Sequence, residues 1–169
     1  MLTTRARILD TARRLFAERG FQNTSVREIA ERLGLTKTAV LYHFPAKTDI
    51  LAALADPYLE DLEAVLDSPK SPDGVIEALL DVHLKHRHMM RSNLMTDVSL
   101  QTSIALRYAR IMIRANRLIA GDDPDFDERI RAAQTVAMLS DPVIAYADEP
   151  PEKLRAAVLR GVRALRENT

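Results

Sequence analysis

Lys37, Thr38, Leu41 and Tyr42 fall on the outward side of one short segment, flanked by Ala39 and His43. A cation and small polar groups at the start of a helix are what reach base edges in a DNA major groove. To do this the segment must be a helix held firmly against others. Thr36 can cap it, and Pro45 ends it near Phe44. Upstream, Ser25 and Glu28 have capping-box spacing, and Val26, Ile29, Ala30 and Leu33 form the inner stripe of a second helix. Gly34 ends that helix and permits a tight turn, and Ala30 is small where the two helices must approach. Val40 and Phe44 lock the pair against a first helix. That helix is capped by Thr3 or Thr4, carries Ile8, Ala12, Leu15 and Phe16, and stops at Gly20. Two short helices meeting at Gly34-Leu35 form a helix-turn-helix. A plain helical hairpin with solvated outer residues has the same geometry, so spacing leaves both readings open.

The rest of the chain also reads as helical. A fourth helix begins near Ala46 or Lys47 and runs to Leu66, with Pro57 expected to kink or interrupt it. Residues 67–73, with Pro69 and Pro72, form a loop. The next helix spans Asp73 to about Asn93, broken near His86–His88. Another spans about Ser99 to Ala120, and Gly121 with the acidic run Asp122–Asp125 follows as a loop. Phe126–Ala147 is helical but interrupted by Pro142, and Glu152–Arg166 is the last helix. The expectation is an all-α fold of about nine helices. It comprises a three-helix helix-turn-helix domain over residues 1–46 and a helical regulatory and dimerisation domain over residues 47–169. Only five glycines in 169 residues, with abundant Ala, Leu, Arg and Glu, agree with this.

Net charge is zero but unevenly placed. Residues 1–50 hold nine Lys/Arg against five Asp/Glu, and residues 51–169 hold fifteen against nineteen. Phosphate attracts the first part and repels the second, which orients an approach to DNA. With no cysteine, disulfides and thiolate metal sites are excluded, and a reducing cytosol suits the chain. No early apolar run looks like a signal peptide, and none spans a bilayer. The expectation is a soluble cytoplasmic protein without membrane contact.

The strings Thr24-Ser25-Val26-Arg27-Glu28-Ile29-Ala30-Glu31-Arg32-Leu33-Gly34-Leu35-Thr36-Lys37 and Leu41-Tyr42-His43-Phe44-Pro45-Ala46-Lys47 closely resemble the TetR-family DNA-binding domain. So does Ile8 to Gly20-Phe21. The resemblance covers roughly residues 4–51 at motif level and, beyond them, only helix count and layout. It implies a bacterial transcriptional regulator, a ligand-responsive repressor that binds a pseudo-palindromic operator as a homodimer. Thr24 and Ser25 match positions that meet phosphate at a helix start, with Arg27 near the same backbone. Thr36, Lys37, Thr38 and Ala39 match the reading end of helix three, Tyr42 and His43 match contacts to phosphate or bases, and Lys47 matches a lysine that pairs with phosphate. Leu41 departs from a common phosphate-binding tyrosine, and Thr38 from a commoner glycine. The resemblance puts a ligand cavity among the middle helices, where His83, Met89, Tyr108 and Met112 are candidates. A ligand there would shift helix four and change the spacing of two DNA-binding heads. The last two helices would form a four-helix dimer interface, drawing on Ala133, Ala137 and Ile144 and on the stripe Leu154, Ala157, Val158, Gly161, Val162 and Leu165.

Other clusters read more plainly. His83, His86 and His88 with Met89, Met90 and Met95 lack a completing carboxylate, so a partly buried interhelical segment is favoured over a metal site. Arg107, Arg110, Arg114 and Arg117 form a stripe that solvates a face and pairs with nearby acids. Asp122, Asp123, Asp125 and Asp127 lack the glycine and terminal glutamate of a calcium loop. No nucleophile motif, phosphate loop or paired carboxylates suggest an enzyme, and no cofactor is implied. An all-helical adaptor that never touches DNA is the rival reading, and the basic N-terminal third argues against it.

Overall fold

A computed structural model describes residues 2–68, 71–91 and 102–167. They form eight helices: α1 (Thr4–Arg19), α2 (Val26–Leu33), α3 (Lys37–His43), α4 (Lys47–Asp67), α5 (Pro72–Arg91), α6 (Thr102–Ala120), α7 (Phe126–Ala145) and α8 (Pro151–Glu167). No strand occurs among the described residues, so the fold is all-α as expected. Pro69, Asn93, Met95 and the expected helix start near Ser99 lie outside them.

Three expected interruptions do not occur. α4 runs through Pro57, α7 runs through Pro142, and α5 continues past His86–His88 to Arg91. Each site is flanked by residues that anchor the helix on both sides. Ala55 and Tyr58 are buried around Pro57, Leu139 and Val143 around Pro142, and Leu84 and Met90 around the histidines. A proline in a helix costs roughly 3 kcal/mol, and burial of large apolar side chains on both sides offsets it.

The chain divides into two compact units, Met1–Pro57 with Ser92–Ala105 and Tyr58–Arg91 with Leu106–Thr169. In the first unit, α2 packs on both α1 and α3. Ile8, Leu15, Phe16, Ile29, Val40 and Phe44 are its buried centre. Phe16 and Phe21 meet edge to face at 5.3 Å. Thr3 caps α1 by accepting from the Ala6 N–H, and Gly20 ends that helix at φ +82°, where a side chain would be strained.

In the second unit, α5 packs on α7 and α8, and α7 packs on α8. Leu79, Leu80, Leu139 and Val143 are fully buried there. Asp125, expected only as part of an acidic loop, makes a reciprocal capping box with Glu128 at the start of α7. Arg155 of α8 donates to Asp81 at 2.7 Å and Glu77 at 3.0 Å on α5. Two of the four arginines in the α6 stripe pair with acids: Arg107 forks onto Glu63 at 2.7 and 2.8 Å, and Arg114 reaches Asp67 at 2.6 Å.

Candidate nucleic-acid interface

The turn between α2 and α3 is built by local chemistry. Gly34 sits at φ +66°, in the left-handed region that lets the chain reverse, and the Leu35 N–H returns to the Ala30 carbonyl at 2.9 Å. The Thr36 hydroxyl then accepts from the Ala39 N–H at 3.1 Å and starts α3. With Val40 and Phe44 buried, α3 is held by its inner side. The Arg5 guanidinium stands 4.9 Å above the Phe44 ring, a brace that sequence reading missed. Lys37 and Thr38 are exposed, and Tyr42 is 86% exposed, so this aromatic packs on little of its own chain. Leu41, Ala39 and His43 are half-buried.

The loop from α1 to α2 meets the starts of α3 and α4 beside this face. Gln22, Asn23, Thr24, Ser25, Val26, Arg27, Lys37 and Lys47 line a shallow cleft of about 410 Å³. Five of these were expected site residues, while Gln22 and Asn23 were not singled out. Ser25 accepts from the Glu28 N–H at 3.1 Å, and on this exposed residue the hydroxyl can still rotate to donate outward. The Glu28 carboxylate pairs with Arg19, so only half of the expected capping box forms at α2. Among the described residues Arg27 is tied only to Glu31, a solvent-exposed pair at 2.8 Å that contributes little.

Two expected contact residues also have partners within the chain. Thr24 is 2% exposed, and its hydroxyl donates to the Gly20 carbonyl at 3.0 Å. It latches the loop, and its side chain does not face solvent. Lys47 donates to the carbonyls of Phe21 at 2.7 Å and Thr24 at 2.8 Å, and its ammonium lies 4.1 Å above the Phe21 ring. It therefore braces the cleft from beneath. Replacing it by Met keeps the aliphatic stem but removes both bonds. Lys47→Met is expected to lower stability by about 1–3 kcal/mol, since each carbonyl loses a charged donor. Chemical denaturation measures this; an unchanged midpoint would show that these bonds contribute nothing.

The cleft and the α3 face thus present Lys37, Thr38, Tyr42, Ser25 and Arg27 together on one helix-turn-helix. The sequence profile of the bacterial regulatory proteins of the tetR family matches residues 8–54, which span these elements. Over these residues the chain is similar to the DNA-binding domain of the TetR family. The chain is 36% identical over 72 residues to the HTH-type transcriptional regulator TtgR of Pseudomonas putida. That match covers 43% of this chain and 34% of TtgR. The chain spans only about a third to two fifths of the curated relatives it matches. Among solved structures, a transcriptional regulator of the TerR/AcrR family from Aquifex aeolicus superposes with a TM-score of 0.80 at 20% identity. The superposition covers 96% of this chain and 99% of that one, and it shows the fold. A TetR/AcrR-family regulator from Thermobifida fusca is 27% identical over 97% of both chains, with a TM-score of 0.61.

The second unit, beyond the matched residues, holds the remaining candidates. His83 is 1% exposed, and its Nδ1 lies 3.1 Å from the Tyr58 hydroxyl. The Tyr58 ring stacks with Tyr108 at 6.4 Å, so Tyr58 joins two of the expected ligand residues. Burial pushes both tyrosines above the usual phenol range. Burial, with help from neighbouring His86, drops His83 to about 4. His86 itself hydrogen-bonds Asp61 at 2.6 Å. Met89 and Met112 are half-buried, and Met112 follows Tyr108 by one turn of α6.

The expected dimer residues divide in two. Ala133, Ala137 and Ala157 are exposed, and Ile144, Gly161 and Leu165 are half-buried. Leu154, Val158 and Val162 are only 3–6% exposed within the single chain. These three lie in the single chain's own core, on a helix that packs on α5 and α7.

Proposed function

We propose that this chain is a sequence-specific DNA-binding transcriptional regulator, a repressor that binds a pseudo-palindromic operator as a homodimer and responds to a small-molecule effector. In this reading residues 1–46 bind DNA, and residues 47–169 bind the effector and dimerise. The observation that carries it is the outer face of α3. Lys37, Thr38 and Tyr42 stand exposed on a helix locked from behind, beside a cleft carrying Ser25 and Arg27. Lys37 and Thr38 are at the reading end, where side chains reach base edges, and Tyr42, His43, Ser25 and Arg27 suit the phosphate backbone. Repressor names among the relatives and the excess of basic residues in the N-terminal third support the same reading.

The homodimer would use the outer sides of α7 and α8, with Ala133, Ala137, Ile144, Ala157, Gly161 and Leu165 facing a second copy. Small residues there allow close helix approach. A two-fold dimer presents two identical heads, hence the palindromic operator. The effector would bind near His83, Met89, Tyr108 and Met112, and a ligand that favours a state unable to bind DNA must release it by linkage.

The experiment is selection of bound sequences from a random DNA pool, then binding of wild type and Lys37→Ala to the selected and a scrambled site across a salt series. Lys37→Ala should weaken the selected site by about 1–3 kcal/mol and the scrambled site by less, because a base contact discriminates. Equal losses on both would remove Lys37 from sequence reading. Failure of the pool to yield any enriched sequence would overturn the proposal.

A further inference from the structure

The second unit contains a polar group that its own fold does not satisfy. Thr135 of α7 is 0% exposed, and its hydroxyl has no hydrogen-bond partner among the described residues. A helical threonine ordinarily turns its hydroxyl onto the carbonyl four residues back, and a buried hydroxyl without a partner is costly. Thr135 lines a cleft of about 230 Å³ floored by Ile119 and Ala120 at the end of α6 and by Ala132 of α7. One turn earlier on the same side of α6, the Asn116 Oδ1 is also buried and unpartnered.

Three charged side chains line this cleft, and two of them are committed elsewhere. The Glu128 carboxylate accepts from the Asp125 N–H at 2.8 Å as part of the helix cap, and Arg166 pairs with Asp73. Arg131, one turn before Thr135, makes no ion pair or hydrogen bond among the described residues. The cleft thus offers one uncommitted guanidinium and an apolar floor, with one uncommitted hydroxyl just beneath its wall. A carboxylate matches that pair of donors. A more highly charged anion does not, because Glu128 stands on the same wall.

We propose that this cleft binds a compact monocarboxylate with a short apolar tail, the Thr135 hydroxyl donating to one carboxylate oxygen and the Arg131 guanidinium to the other. The site shares no residue with the His83 and Tyr108 group. It also does not compete with self-association. At 100° per residue, Glu128, Arg131 and Thr135 lie on the side of α7 opposite Ala133 and Ala137.

Butyrate is the probe, with butyramide and inorganic phosphate as controls, all added to the full chain at constant ionic strength. Butyrate should shift the Thr135 methyl and the Arg131 Nε–H resonances saturably. By calorimetry, Thr135→Val and Arg131→Gln should each weaken it about tenfold, the size of one charge-assisted hydrogen bond. Thr135→Val removes an unmet buried hydroxyl, so its melting temperature should be no lower than wild type, which separates lost binding from lost folding. The proposal is overturned if butyrate shifts nothing, as when the hydroxyl holds only a water. Binding of butyramide or phosphate as tightly as butyrate also overturns it, as does unchanged butyrate affinity in both variants.

Discussion

Val158→Glu is expected to unfold the second unit, while Ala157→Glu leaves it folded and yields a monomer. The two residues are neighbours on α8, yet Val158 is 6% exposed and Ala157 lies on the exposed side. The Val158 change removes a buried side chain worth about 1.5–3 kcal/mol. It also buries a carboxylate with no partner, and a total loss above about 4 kcal/mol follows. That approaches the whole stability of a typical domain. Ala157→Glu adds a solvated charge to a helix surface, with an effect on stability within about 0.5 kcal/mol. If α7 and α8 pack on a second copy, however, this charge meets its own counterpart across a two-fold axis and the dimer dissociates. Sedimentation and circular dichroism of both variants decide the matter. Ala157→Glu should be helical and monomeric and should bind operator weakly, because each head then binds alone. A helical, soluble Val158→Glu protein would show that the inner stripe of α8 is not core. A dimeric Ala157→Glu protein would remove the outer stripe from the interface.

The same helix shows which parts of the fold sequence reasoning can reach. Periodicity identified Leu154, Val158 and Val162 as one apolar side of α8, and the structure keeps them on one side. What periodicity lacks is the identity of whatever covers that side, because a second copy and the chain's own α5 and α7 make the same demand on hydrophobic spacing. The helix-turn-helix was legible because its signals are local. Gly34 must turn, Thr36 must cap, Pro45 must stop, and each acts within a few residues. The intrachain roles of Lys47 and Thr24 were not legible for the opposite reason. Lys47 lies 26 and 23 residues from the Phe21 and Thr24 carbonyls it serves. Nothing near it in sequence announces them, and a cation at a helix start resembles a phosphate ligand. Thr24 is nearer its partners, the Gly20 carbonyl four residues back and the Leu15 carbonyl nine, but a threonine just before a helix reads equally as a cap. Pro57 and Pro142 were read by intrinsic preference, which packing overrode.

Acidification is expected to destabilise the second unit well before its carboxylates titrate, and His83 is the cause. Its side chain is 1% exposed, and it packs against Tyr58 of α4 and lies on α5 with His86, whose partner is Asp61. Burial penalises the imidazolium and holds His83 at about 4 in the folded chain, against 6.5 for a free histidine. Because the folded value is the lower one, the unfolded chain takes up the proton first as pH falls. Stability is therefore complete above about pH 7, declines from about 6.5 downward, and stops declining on this account near 4. The loss between pH 7 and pH 5 is about 2 kcal/mol for this one group, and about 3 kcal/mol by the end of the window. Asp61 and Glu63 are held below the usual carboxylate range by their His86, Lys85 and Arg107 partners, so their own losses begin only as pH falls toward 3.8 and 4.5, at the acid end of the window His83 occupies. Urea unfolding of wild type and His83→Gln at pH 7 and pH 5 tests this. The glutamine can still hydrogen-bond the Tyr58 hydroxyl but cannot take a proton. The variant should lose most of the wild-type difference between the two pH values, whatever its stability at pH 7. An equal pH dependence in both proteins would assign the acid sensitivity to other groups, and a wild-type midpoint unchanged between pH 7 and pH 5 would mean that His83 can take its proton without leaving the fold.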